Sequence, residues 1–147
     1  MHNALDIAYY ILCKCKLKNI WITNFQLCKM LYFAQGLMLV ECDRPLFFND
    51  IIALKYGPTV NDVYWKYCLY GAEKIHLSKY DYSSLIDLSK DEISCINFVI
   101  DFFKNYDMCQ LIKITTTNNT TWSFVNKNEV IPNVLIKEYF ELIKEAK

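Results

Sequence analysis

Between Thr23 and Pro45 the chain is committed to one long helix. Thr23 and Gln26 stand three apart. At that spacing a capping hydroxyl and the side chain of the third helical residue satisfy each other's backbone N–H groups. Ile22 and Leu27 flank this box as a hydrophobic staple. Leu27, Met30, Leu31, Ala34, Leu37 and Met38 then recur at helical spacing and predict a buried face. Lys29 and Gln35 read as polar positions flanking that stripe. The run stops at Cys42-Asp43-Arg44-Pro45, because proline cannot continue a helix and biases its predecessor to extended geometry.

Similar signals organise the rest of the chain. Asn3 can cap a first helix with Ala4, Ile7, Ala8, Ile11 and Leu12 inward, interrupted at Lys14 to Ile20. Phe47 to Tyr56 reads as a short hairpin or an extended arm, followed by a turn at Gly57-Pro58. Val60, Val63, Tyr64, Tyr67 and Cys68 predict a further helix that Gly71 can cap. Ala72 to Leu88 lacks helical periodicity, with short strands expected near Ile75-His76-Leu77 and Ser84-Leu85-Ile86. Ser89 and Glu92 form a second capping box, before a helix that turns Ile93, Ile96, Ile100 and Phe103 inward. Asp107 with Gln110 starts a shorter helix carrying Leu111, Ile112 and Thr115. Pro132 suits the first position of a last helix with Leu135, Ile136, Tyr139, Phe140 and Ile143 on one face. The expectation is a mainly α fold. It is a single compact domain over residues 1–147, with five to six helices and at most a short β-hairpin or small strands between them.

Composition narrows the function. The 16 basic and 16 acidic residues cancel, so the electrostatic footprint of a nucleic-acid binder is missing. Seven cysteines, an odd number with no C-x-x-C, fit reduced thiols used as small apolar residues in a cytoplasmic protein. Cys13-x-Cys15 has neither a second pair nor a nearby His, so no metal is expected. No signal peptide and no membrane span are read. Aromatic residues reach 16%, enough to supply both a core and an amphipathic surface suited to interfaces.

Signals for catalysis are weak. His76 would need a nucleophile and an orienting carboxylate, for which Asp81 and Asp87 are candidates. Cys28 adjoins the buried stripe, and neighbouring Lys29 does not share its helix face. Three glycines leave little material for a phosphate cradle, and no cofactor is expected. The more specific feature is Gly57-Pro58, where Gly57 can adopt a conformation closed to other residues and Pro58 fixes the next one. With Tyr56, Tyr64 and Trp65 around it, it is either a well-packed corner or a preorganised partner-binding edge. Trp122, beside a Thr/Asn loop, reads as a core anchor before a binding hot spot.

Several of these residues together resemble the Panacea domain family, the group around SocA-like antitoxins and phage-associated GepA proteins. Its K-L-Q-K-L-L-Y-F-A-Q helix is matched by Leu27-Cys28-Lys29-Met30-Leu31-Tyr32-Phe33-Ala34-Gln35, with Cys28 for the usual Gln. Its P-L-F segment is Pro45-Leu46-Phe47. Its I-x-A-W-x-Y-G-P motif is Ile51 through Pro58, with Leu54 for Trp. Val63-Tyr64 and Tyr70-Gly71 follow. A late L-x-x-x-T-H-x-x-x-x-W element is approximated by Leu111, Thr115, Thr116 and Trp122, without its histidine.

The resemblance implies a non-enzymatic binding protein that neutralises a cognate toxin, by direct capture or by helping a cellular protease destroy it. The neighbouring alternative is a phage- or mobile-element-encoded inhibitor of a host defence effector, acting as anti-CRISPR proteins do. A small enzyme using His76 or a cysteine stands behind both. The expected partner-binding residues are Lys29, Tyr32, Gln35, Tyr56, Gly57, Pro58, Tyr64 and Trp65; the oligomeric state stays open.

Overall fold

A computed structural model describes residues 1–77 and 86–145. The described residues form α1 (Ala4–Leu17), α2 (Asn24–Cys42), β1 (Ile52–Leu54), β2 (Gly57–Thr59), α3 (Asn61–Lys66), α4 (Lys90–Phe103), α5 (Met108–Thr116) and α6 (Asn133–Glu145), with short 3-10 turns at Cys68–Tyr70 and Thr121–Phe124. The fold is mainly α, with one two-stranded antiparallel sheet.

Local start signals act as their spacing requires. The Thr23/Gln26, Ser89/Glu92 and Asp107/Gln110 boxes are all reciprocal. Asn3 caps α1 by accepting from the Leu5 N–H. The first helix runs a turn further than its apolar stripe suggested, to Leu17, before Asn19 breaks it at φ 57°. Asp43, at φ 54°, ends α2 in the left-handed region. The predicted third helix is divided: α3 stops at Lys66, and a 3-10 turn carries the chain to Gly71. Pro132 stands one residue before α6, its carbonyl accepting the Ile136 N–H. No strand forms at Ile75-His76-Leu77; instead Ile75 donates to the Ile22 carbonyl at 2.8 Å. The second expected strand falls at residues 84 and 85 outside the described residues.

The core is built round α2, which is enclosed on more than one side. Residues Leu27, Met30, Leu31, Ala34 and Met38 are buried as expected, and Asn24, Gln26, Lys29, Tyr32 and Gln35 are buried with them. Apart from a strip at Phe33, Leu37 and Glu41, α2 is enclosed and acts as a core element rather than an amphipathic surface helix. At Gly36 α6 packs close, since a Cβ there would lie 2.5 Å from the ring of Phe140.

The N-terminal segment is tied down at His2. Its N–H donates to the Leu46 carbonyl and its carbonyl accepts from Phe48. Its ring meets Glu92 at 3.1 Å, where Arg44 also bonds. Burial alone would raise the Glu92 carboxyl, but the Ser89 N–H, His2 and Arg44 outweigh it and bring it down to about 2.

Candidate functional site

The polar residues of α2 act as spokes that fix separate parts of the chain. Asn24 Nδ2 donates to the Tyr64 carbonyl at 3.0 Å, tying α3. Gln26 Nε2 donates to the Tyr106 carbonyl at 2.9 Å, tying the entry to α5. Tyr32 and Thr121 share a hydrogen bond of 2.6 Å between their hydroxyls. Gln35 Oε1 accepts from the Leu46 N–H at 2.7 Å and the Phe47 N–H at 3.2 Å, and its Nε2 donates to the Phe47 carbonyl at 2.9 Å. Lys29 Nζ donates to the Pro58 carbonyl at 2.8 Å.

The hairpin that Lys29 holds differs from the predicted turn. The chain reverses at Lys55-Tyr56, and Gly57-Pro58 opens the second strand, with Leu54 paired to Gly57 and Ala53 to Pro58. Neither turn residue has positive φ, so Gly57 completes the reversal at φ 120°. Pro58 is tolerated because Ala53 bonds the other way. Its N–H donates to the Glu129 carbonyl and its carbonyl accepts from the Asn128 N–H. No ladder bond is therefore asked of proline. Trp122 Nε1 donates to the Leu54 carbonyl at 2.6 Å, anchoring the other strand as the core reading expected.

Lys29 is 1% exposed and among the described residues has only neutral hydrogen-bond acceptors, the Pro58 carbonyl and the Thr59 hydroxyl, with the Phe25 ring centroid 4.3 Å away. Burial pulls its ammonium down to about 8, slightly opposed by Cys28. The folded chain then releases this proton near pH 8, whereas an unfolded lysine holds it to about pH 10.4. The unfolded state binds more protons between these values, so stability rises with pH there. From about pH 8 upward Cys28, Cys15 and Cys95, pushed up by burial to about 11, 12 and 12, pull the other way, because their unfolded thiols ionise first. The expected outcome is that between pH 8 and 9 the wild-type chain gains about 1 kcal/mol relative to Lys29→Met, read by urea unfolding of both proteins at each pH.

On the outside, the hairpin tip and α3 present a cluster of aromatic residues. Tyr56 is 48%, Tyr64 41% and Trp65 68% exposed, and Leu69 beyond them 98%. Tyr64 and Trp65 meet edge to face at 5.6 Å. Between Tyr56, Tyr64 and Phe25 lies a cleft of about 310 Å³, with Lys29 in its wall and no carboxylate among its described lining.

A family model described as antitoxin SocA-like, Panacea domain, matches residues 27–123. The chain belongs to this family. None of the curated proteins and none of the solved structures matches it.

Within this Panacea domain the residues that carry the likeness divide into two sets. Lys29, Tyr32 and Gln35 are enclosed, and Gly57 and Pro58 are buried at the foot of the hairpin. Lys29 and Gln35 therefore do not flank the buried stripe at the surface, and side chains so enclosed present no surface to a partner. Their polar atoms are consumed by backbone segments distant in sequence, which helical periodicity does not register. Tyr56, Tyr64 and Trp65 are the members of the expected set that face solvent. Leu69 was missed; it stands beyond the end of α3, in the 3-10 turn at Cys68–Tyr70, where helical periodicity does not apply.

Among the described residues the catalytic candidates are not assembled. His76 stacks on Trp21 with ring centroids 4.6 Å apart, and no carboxylate hydrogen-bonds to it among the described residues; Asp81 lies outside them. The Cys28 thiol, pushed up by burial, is no ready nucleophile. Among the described residues no three His, Cys, Asp or Glu side chains group as metal ligands, and no helix is long and apolar enough to cross a membrane.

Proposed function

We propose that this Panacea domain neutralises a protein toxin by direct capture, with Tyr56, Tyr64, Trp65 and Leu69 as the contact surface. The observation that carries the reading is the exposure of these large side chains on a frame whose backbone is tied from within. A rigid aromatic surface loses little conformational entropy on binding, and tryptophan and tyrosine dominate the energetics of protein interfaces. Burying Trp65 against a partner, rather than transforming a substrate, is the chemistry this surface supports.

Coexpression with the adjacent reading frame tests the reading. The neighbour should arrest growth alone and be tolerated with this chain, and the two should copurify. A harmless neighbour would remove the reading's support. Trp65→Ala is expected to weaken the complex by about 2 kcal/mol, roughly 30-fold, by isothermal titration. Its effect on folding should stay within about 0.5 kcal/mol, as for other surface substitutions. A larger loss of stability than of affinity would place Trp65 in the frame instead.

A further inference from the structure

A second surface lies between α4 and α6. Both helices pack extensively along α2 yet make few contacts with each other. The strip of α2 between them stays open, with Phe33, Leu37 and Glu41 along its floor at intervals of four residues. Phe98 and Phe102 of α4 rise on one flank, 52% and 48% exposed, and Ile143 of α6 on the other. Leu37 and Phe98 belong to each of three adjoining hollows, which therefore run together as one trough. Phe33 to Glu41 spans about 12 Å of helix axis, the length of two helical turns.

The trough changes character along its length. At one end a chamber of about 320 Å³ is walled by Phe33, Phe98, Phe102 and Tyr139. At the other, carboxylates line it: Glu41, paired with Lys144 at 3.2 Å, and Asp91, which makes no ion pair among the described residues. Asp91, in the first turn of α4, is offset only by the helix N-terminus, so the trough favours a cationic group on the occupant and disfavours an acidic one.

We infer that this trough takes an amphipathic helix of a partner protein, with apolar residues at i, i+4 and i+7 and a lysine or arginine one turn further on. The spacing of the floor residues matches that of one helical face, the recognition mode in which a helix lies in an apolar groove. The basic residue meets Asp91. This surface is separate from the Trp65 corner, and the inference rests on the reading of the chain as a protein that captures proteins.

The test uses the intact chain and a blocked 14-residue helical peptide with leucine or phenylalanine at i, i+4 and i+7 and lysines at i+8 and i+11. A second peptide carries glutamates for the lysines. Fluorescence anisotropy should show the lysine peptide binding at least ten-fold tighter, with amide shifts confined to α2, α4 and α6. Asp91→Asn should remove most of that preference, and Phe98→Ser should weaken the lysine peptide about ten-fold with an unchanged amide spectrum elsewhere. Equal binding of the two peptides, or shifts centred on the hairpin, would overturn the inference. So would a wild-type dimer that Phe98→Ser dissociates, since the occupant would then be a second copy. The peptide readout does not involve a toxin, so failure of growth rescue and failure of the groove are separate results.

Discussion

Gln35→Ala is expected to lower stability by about 3–5 kcal/mol, enough to unfold a marginal domain at 37 °C. Gln35 is fully buried and satisfies three backbone groups at once: the Leu46 N–H, the Phe47 N–H and the Phe47 carbonyl. Each buried group left without a partner costs about 1–3 kcal/mol, and truncation adds a void. Gln35→Met separates the two terms, because it fills nearly the same volume without bonding. Both variants should shift the urea midpoint strongly, with alanine the worse. A loss below about 1 kcal/mol in both would mean that the Leu46-Phe47 segment holds its place without this side chain.

Gly57→Ala should cost about 2–4 kcal/mol. Two effects coincide there. The φ of 120° is disfavoured for any residue with a Cβ, and that Cβ would lie 2.7 Å from Thr115 Oγ1 and 3.0 Å from Lys29 Cε. Gly71→Ala isolates the first effect, since its φ is 56° and nothing lies within 4 Å of the added atom. It should cost about 1–3 kcal/mol, the strain of a Cβ at φ 56° and ψ -126° alone. A Gly57→Ala variant no worse than Gly71→Ala would show that Lys29 and Thr115 yield freely. A large difference would show the hairpin foot to be incompressible.

What could be read from the chain was local. Thr23 with Gln26, Ser89 with Glu92 and Asp107 with Gln110 each bond across three residues, so sequence spacing carries their geometry. What could not be read was long-range. Gln35 meets Phe47 across 12 positions, Tyr32 meets Thr121 across 89, and His2 meets Glu92 across 90. Helical periodicity treats a buried lysine or glutamine as surface, because it counts polarity and not partners. The turn was misplaced by two residues for a related reason. Gly57-Pro58 carries the usual marks of a turn, yet a proline whose strand partner bonds outward can open a strand. At the site, the exposed aromatics were legible as a group, while Leu69 and the trough needed the packing of helices to be seen.

The spokes of α2 end mostly on main-chain atoms: the carbonyls of Tyr64, Tyr106 and Pro58, and the amides of Leu46 and Phe47. Every residue type offers the same carbonyl, so such anchors place few demands on the side chains they secure. Positions on α3 and at the hairpin tip can therefore drift in identity while the scaffold beneath them keeps its shape. On the proposed capture reading, a lineage built this way can exchange one target for another by rewriting its exterior alone.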